Sequence, residues 1–246
     1  MIDKRTIQYH VTRHCTLRCA HCATQSQAGK QKPWSVDIEV FKRDLIQISK
    51  VFNLHELLII GGEPLLHPQI DELVKFAKQI NVAKAITVHT NGQLLEKQSD
   101  TFYQYVDNIN ISVYPNVNIN YNKIASFIEN INTKYMVSLN MSDRSRFNIM
   151  EAAPDANRDT QHIFDTCECS ITSDNPIVWD GRYYKCAGAV IANTLDADGC
   201  DLNEEDVIEH LADKKHMKAC LTCLGSSGPS FIGYQEKPIK IIRTRK

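Results

Sequence analysis

Three cysteines stand close together near the start of the chain, in Cys15-Thr16-Leu17-Arg18-Cys19-Ala20-His21-Cys22. Thiolates are soft donors that suit zinc or iron–sulfur clusters. Three of them this close suit an iron–sulfur cube, in which each takes a different iron. Three ligands for four irons leave one iron open to an outside ligand. The alternative is a zinc ion with His14 or His21 as fourth donor, although zinc ligands usually come as two separated pairs. Six more cysteines follow in the last third: Cys167, Cys169, Cys186, Cys200, Cys220 and Cys223. Nine in total is an odd count and fits poorly with a purely disulfide-bonded framework. A second chemical feature is Gly61-Gly62-Glu63-Pro64, where glycines let the backbone approach a ligand closely.

The elements that must position these residues are legible as alternating runs. Strand patterns cover Thr6–Thr12, Glu56–Ile60, Ala85–His89, Ile109–Val113 and Tyr135–Leu139. Between them lie helical patterns over Val36–Val51, with Ser35 as N-cap, and over Pro68–Gln79 and Ile124–Ile131. Strands alternating with helices imply parallel strands joined by right-handed crossovers. The expected fold is α/β, either a partial barrel of five or six parallel strands or an open sheet. Either places ligands at the C-terminal strand ends. Those ends carry His10–His14, Gly61–Pro64, His89–Asn91, Ser112–Tyr114 and Asn140–Arg146. The pattern changes near residue 150. Glu151–Arg158 reads as a linker, dividing a domain of residues 1–150 from one of residues 151–246. The second part has a hairpin signal at Asp180-Gly181 and a helix candidate over Glu204–Met217. It is too small to build a large core alone, so a metal would help hold it.

Cys-x3-Cys-x2-Cys after a first strand resembles the signature of the radical S-adenosylmethionine (SAM) superfamily. Gly61-Gly62-Glu63-Pro64, after the second strand, resembles the family's Gly-Gly-Glu-Pro motif. The resemblance implies a [4Fe–4S] cluster on Cys15, Cys19 and Cys22, whose open iron is chelated by SAM. It implies reductive cleavage of SAM to a 5′-deoxyadenosyl radical that abstracts a hydrogen atom. His21 takes the position that packs near the adenine, and Gly61, Gly62, Glu63 and Pro64 line the ammonium site. Weaker carry-overs are Asn91 in Thr90-Asn91-Gly92, Ser112 on the fourth strand, and Asn140 and Arg144 after the fifth. For each of these a capped strand end or solvated loop is an equal reading.

Eleven residues separate Cys169 from Gly181, thirteen separate Cys167 from it, and four separate Gly181 from Cys186. With Cys220-Leu221-Thr222-Cys223, this resembles the family's C-terminal auxiliary-cluster domains, which begin Cys-x9–15-Gly-x4-Cys. No cysteine follows Cys223, so it is similar to the shortened twitch form of the SPASM domain, with one auxiliary [4Fe–4S] cluster. The implied ligands are Cys169, Cys186, Cys220 and Cys223, with Cys167 competing with Cys169. Cys200 is the spare, and a structural zinc site is the alternative. In length and layout the chain is similar to the butirosin-pathway radical SAM dehydrogenase, which oxidises an aminocyclitol hydroxyl.

An auxiliary cluster with no open iron suits electron transfer. The expected activity is therefore oxidation of a small polar substrate such as a sugar or cyclitol. Tyr114, Arg144 and His89 are the candidate catalytic residues, and a flavodoxin or ferredoxin is the expected electron donor. Radical epimerisation or crosslinking of a ribosomal peptide is the second reading. The triplet begins at residue 15, so a leader-binding domain ahead of the barrel is not expected in this chain. A non-catalytic iron or zinc protein is the third reading, against which the SAM-type motif argues. The chain of 246 residues has formal net charge −1, which gives no general attraction to nucleic acid or anionic membrane. It has no secretory signal and no apolar run of the ~20 residues a membrane span needs, so a cytoplasmic protein is expected. The basic tail Lys237, Lys240, Arg243, Arg245 and Lys246 reads as a solvated run before it reads as a receptor for anions.

Overall fold

The computed structural model describes residues 1–19, 22, 24, 34–114, 117–144, 146–150, 155, 157–169, 176–191, 195–226 and 230–232. The first half alternates strictly: β1 (Ile2–Thr12), α1 (Ile38–Val51), β2 (Phe52–Gly61), α2 (Ile70–Gln79), β3 (Ala85–Thr90), α3 (Asp100–Tyr105), β4 (Asn108–Val113), α4 (Tyr121–Tyr135) and β5 (Ser138–Asp143). The five strands are parallel and lie in the order β5-β4-β3-β2-β1. That order never reverses. Right-handed crossovers with no reversal put every helix on one face, which is the winding of a barrel and not of a doubly wound sheet.

The two faces of the sheet bear this out in composition. Side chains alternate across a strand. Ile7, Tyr9 and Val11 of β1 share a face with Leu57 and Ile59, Ile86 and Val88, and Ile109 and Ile111, all buried against the helices. The opposite, concave face reads Gln8, His10 and Thr12 on β1, apolar Leu58 and Ile60 on β2, then Thr87 and His89, Asn108, Asn110 and Ser112, and Asn140 and Ser142. At its N-terminal end Glu56 accepts hydrogen bonds from Thr6 (3.2 Å) and Thr87 (2.5 Å), and Asn108 donates to Thr87 (3.1 Å). A mainly polar concave face within a one-layer ring of helices is what a partial barrel presents to ligands.

Several elements differ from those expected: β1 starts at Ile2 and not Thr6, β2 at Phe52 and not Glu56, α2 at Ile70 and not Pro68, and α4 spans Tyr121–Tyr135. The N-cap of α1 is Asp37, whose carboxylate accepts from Glu39 N and Val40 N. A carboxylate suits the positive end of the helix dipole. Ser35 instead bridges to Thr12, with the hydroxyls 3.1 Å apart. The fifth strand starts at Ser138, because Tyr135 closes α4 and Met136 takes a left-handed turn (φ 58°) that caps it. Helix α3 was not anticipated, since six residues carry too little periodicity to read. Ser99 caps it, and it buries Phe102 and Tyr103.

The later elements are β6 (Arg146–Asn148), α5 (Thr160–Thr166), β7 (Ile177–Trp179), β8 (Arg182–Tyr184), β9 (Gly199–Asp201), α6 (Glu204–Ala212) and β10 (Ser230–Ile232). Strand β7 pairs parallel with β1, so a sixth parallel strand joins the sheet at its other edge. Strands β8 and β9 continue it antiparallel, and β10 pairs with β6. The β7–β8 turn is Asp180-Gly181, both at positive φ (45° and 75°), the primed geometry that matches strand twist. Asp44, fully buried on α1, ties this hairpin to the barrel: it accepts from Tyr9 Oη (2.8 Å) and Gly181 N (2.9 Å). Helix α6 stops at Ala212, short of Met217, because Asp213 turns extended and its carboxylate accepts from Lys215 N. Residues 151–154 and 156 of the expected linker and the tail from 233 onward lie outside the described residues. Among the described residues, no helix is long and apolar enough to cross a membrane.

Candidate functional site

The loop leaving β1 carries Cys15, Cys19 and Cys22, none of them in a disulfide. Cys19 and Leu17 are buried, and Cys15, Cys22, Tyr114 and Val117 pack on them. Leu17 N donates to Cys15 Sγ (3.4 Å), and the Thr24 hydroxyl lies 3.1 Å from Cys22 Sγ. Burial, with the charges of Glu63 and Cys22, pushes the Cys15 thiol up to about 12. Soft thiol donors on one loop, hydrogen-bonded at sulfur and walled by apolar groups, fit an iron–sulfur cluster. Among the described residues no three His, Cys, Asp or Glu side chains are drawn together on a single ion. His21, expected near an adenine, lies outside the described residues.

Gly61 lies against β1 so closely that a Cβ there would sit on the Thr12 carbonyl oxygen. Past this contact, Gly62 N donates to Thr12 O (2.8 Å) and Glu63 N to His14 O (2.7 Å), which binds the Gly-Gly-Glu-Pro loop to the base of the cysteine loop. Those N–H groups are therefore engaged within the chain. Pro64 opens a short 3₁₀ turn. The Glu63 carboxylate is fully buried and turned inward, accepting from Leu65 N (3.2 Å), Thr90 Oγ1 (2.6 Å) and Asn91 N (2.8 Å). Burial raises its pKa to about 7, against the pull of those three donors. Asn91 in turn donates to Thr16 Oγ1 (2.9 Å). Glu63 and Asn91 thus clamp three strand-end loops together.

Beside this clamp, Ser112 is a meeting point. His89 Nε2 lies 2.9 Å from its hydroxyl, and Arg144 Nε donates to it at 3.4 Å. Burial, with the Arg144 charge, lowers His89 to about 4, so it is a neutral imidazole at pH 7. Burial, with the charges of Cys19 and Cys22, raises Tyr114, which stays a phenol. Asn140, expected after the fifth strand, instead lies within β5, exposed and in register with Asn110, two positions before the level of Ser112. The other described residues expected at the first site stand at the C-terminal rim.

A second site lies in the C-terminal part. Cys167, Cys169, Cys186, Cys220 and Cys223 line one cavity of about 40 Å³, completed by apolar groups such as Phe164 and Met217. Gly188 N donates to Cys186 Sγ and Gly225 N to Cys223 Sγ, each at 3.3 Å. Burial pushes Cys186 up to about 12 and Cys220 to about 11. Thiols around a dry cavity, met by backbone N–H groups at sulfur, fit a four-iron cluster in the chemistry of the donors. Cys200 stands apart on β9 opposite Tyr183.

Sequence reading missed two features. Asp198, buried, accepts from Lys218 N (2.6 Å) and Ala219 N (2.8 Å) and so fixes the turn bearing Cys220. Trp34 and Trp179 stack at 4.6 Å, Arg13 lies over Trp179, and His10 packs on it. The available signal was Gln8, His10 and Thr12, polar at alternate positions of a strand whose other positions are apolar.

Among curated proteins, the chain is 34% identical over 113 residues to a GTP 3′,8-cyclase of Chlorobaculum tepidum, covering 44% of this chain and 33% of that one. It is 26% identical over 149 residues to a GTP 3′,8-cyclase of Staphylococcus aureus, covering 56% and 44%. The chain thus matches a third to less than half of the length of these relatives. Among solved structures, BtrN in complex with AdoMet and 2-DOIA aligns with TM-score 0.57 at 16% identity, over 85% of this chain and 82% of that one. Native anSMEcpe with bound AdoMet aligns with TM-score 0.56 at 14% identity, over 85% and 81%. At these identities the likeness is one of fold. The pattern of the radical SAM superfamily matches residues 9–137, just over half of the chain. With that match and the cysteine triplet at the mouth of a partial barrel, the chain belongs to the radical SAM superfamily.

Proposed function

We propose that this protein oxidises a hydroxyl of a small polar substrate, such as a sugar or cyclitol, with a second cluster in the C-terminal cavity as the electron sink. The observation that carries this reading is the second set of thiols gathered round one cavity, a device for electron transfer. Cys15, Cys19 and Cys22 would hold the first [4Fe–4S] cluster. When bound there, it supplies the electron that cleaves SAM and so the 5′-deoxyadenosyl radical that takes a hydrogen atom from the substrate. A cluster held at the C-terminal site would supply the acceptor for the one electron that the substrate must lose, along with one proton, for its C–OH carbon to become a carbonyl. His89, neutral and beside Ser112, would hydrogen-bond the reacting hydroxyl; with its pKa lowered to about 4 it is too weak a base to keep the proton, which passes on to solvent. Tyr114 walls the thiols, and Arg144 offers its guanidinium to a carboxylate. Glu63 and Asn91 act as positioning residues. Cys169, Cys186, Cys220 and Cys223 are the expected second set, with Cys167 the competitor of Cys169; all five line the cavity. A reduced flavodoxin or ferredoxin as donor, and a cytoplasmic setting that keeps nine free thiols reduced, complete the reading.

The sequence likeness to GTP 3′,8-cyclases favours a second reading, in which the same radical acts on a nucleotide and the outcome is cyclisation. Radical modification of a peptide remains a third outcome of the same test.

The deciding experiment is iron, sulfide and zinc analysis after anaerobic reconstitution, with EPR of the reduced protein with and without SAM. About eight irons per chain, and one of two signals perturbed by SAM, is the expected result. About four irons plus zinc would make the C-terminal site structural and remove the electron sink. SAM cleavage that survives Cys15→Ala would overturn the radical mechanism itself.

A further inference from the structure

The rim between β1 and β7 holds a cationic group with no assigned role. Arg13 lies two residues before Cys15, and Trp179 seven before Cys186, so the chain leads from this cluster to both thiol sites. The Arg13 guanidinium sits 4.6 Å from the centroid of the Trp179 ring, and its backbone N donates to Trp34 O (2.8 Å). A guanidinium held over a ring face can still use its terminal N–H groups, which pair with carboxylates and phosphates. Arg13 Nε is buried and has no hydrogen-bond partner, and no carboxylate pairs with Arg13 among the described residues. Residues 20–33, between the cysteine triplet and Trp34, include Lys30 and Lys32 and no Asp or Glu. Beside it lies His10, 2% exposed, its ring 5.4 Å from that of Trp179 and its Nε2 also without a partner. Two buried, unpartnered nitrogen atoms beside one aromatic pair are unusual, since buried polar atoms are normally paired.

We propose that Arg13, held over Trp179 beside His10, binds an anionic group of the substrate, a carboxylate or a phosphate, at the rim between β1 and β7. The inference rests on the reading of this rim as the reaction site and narrows its substrate class from polar to anionic. The stack pre-orients the guanidinium, so little rotamer freedom is lost on binding. His10 adds a neutral imidazole as a second hydrogen-bonding group beside the anion.

Trp34 and Trp179 are the only tryptophans in the chain, so intrinsic fluorescence reports this cluster. The test titrates the reconstituted holoenzyme anaerobically with pyrophosphate and, separately, with citrate, against sodium chloride at equal ionic strength. A saturable change with one of them is expected, and which one distinguishes a phosphate from a carboxylate source. Arg13→Gln should weaken that binding about ten-fold or more, and Arg13→Lys by less, since it keeps the charge without the fork. No saturable change with either anion would overturn the inference, as would Arg13→Gln binding equally well. Should Arg13→Gln fail to retain iron, Arg13→Lys decides, and affinity equal to the parent's again overturns it. SAM cleavage by the unaltered enzyme is scored separately: cleavage without anion binding sinks this inference alone, and absence of cleavage sinks the radical reading.

Discussion

His10 and His89 face the polar interior as neutral rings, and acid is the condition that penalises them. Burial, aided by Arg13, lowers His10 to about 3; burial, aided by Arg144, lowers His89 to about 4. In the unfolded chain both titrate near 6.5. Between those values the unfolded chain binds more protons, so stability rises with pH there. Their contribution is present in full above pH 6.5 and is lost as pH falls, at about 1.4 kcal/mol per pH unit for each ring. Urea-melt stability measured from pH 7 to pH 4.5 should show this slope, and His10→Gln should remove about one ring's share. A slope unchanged by that substitution would show that His10 is not held neutral by the fold. Its low pKa was invisible in sequence, where His10 is merely a polar residue on a strand. The burial and the neighbouring Arg13 charge exist only once β7 has closed against β1.

At the scale of elements, the join between barrel and C-terminal hairpin depends on few groups. Asp44 on α1 accepts from Tyr9 on β1 and from the Gly181 N–H of the β7–β8 turn, and Arg43 pairs with both Asp44 and Asp180. Asp44→Ala leaves a buried tyrosine hydroxyl and a turn N–H without acceptors. It should cost roughly 3 kcal/mol, read as a fall in melting temperature. The hairpin should also detach locally, read as faster amide exchange in β7 and β8. A loss below about 0.5 kcal/mol would mean that Asp44 is an incidental contact. The Asp180-Gly181 turn itself was plain in sequence, because two consecutive positive-φ residues admit few residue types. Its anchor was not, since Asp44 and Gly181 are 137 positions apart.

Over the whole molecule, hydrophobic support is uneven. One large cluster runs from Ile7 through Val207 and unites the sheet with its helices. The thiol cavity rests on a small one: Phe164, Cys186, Met217, Ala219 and Cys220. A region so lightly packed would draw stability from the cluster proposed for its thiols. Stripping iron with a chelator under anaerobic conditions should therefore raise amide exchange in α5 and in the Lys218–Thr222 turn, while β1 to β4 stay protected. Equal exchange with and without iron would show that the C-terminal part holds itself together.

The sequence by itself determined the family chemistry and the alternation of strands with helices. A triplet of thiols on one short loop is a local pattern, as is the alternation of apolar strands with amphipathic helices. Local patterns survive without knowledge of what lies opposite. It left the partial barrel and the open sheet unresolved, because strand order is a relation between segments far apart in the chain. Only the tertiary structure decided that the order of the first five strands never reverses, that β7 adds a parallel strand beside β1, and that the concave face is polar on β1, β3, β4 and β5 and apolar on β2. It alone turned Glu63 inward, set five cysteines round one cavity, and brought Trp179 against Trp34 and Arg13. Each of these pairs residues that sequence distance separates, and burial, charge and hydrogen bonding act on neighbours in space.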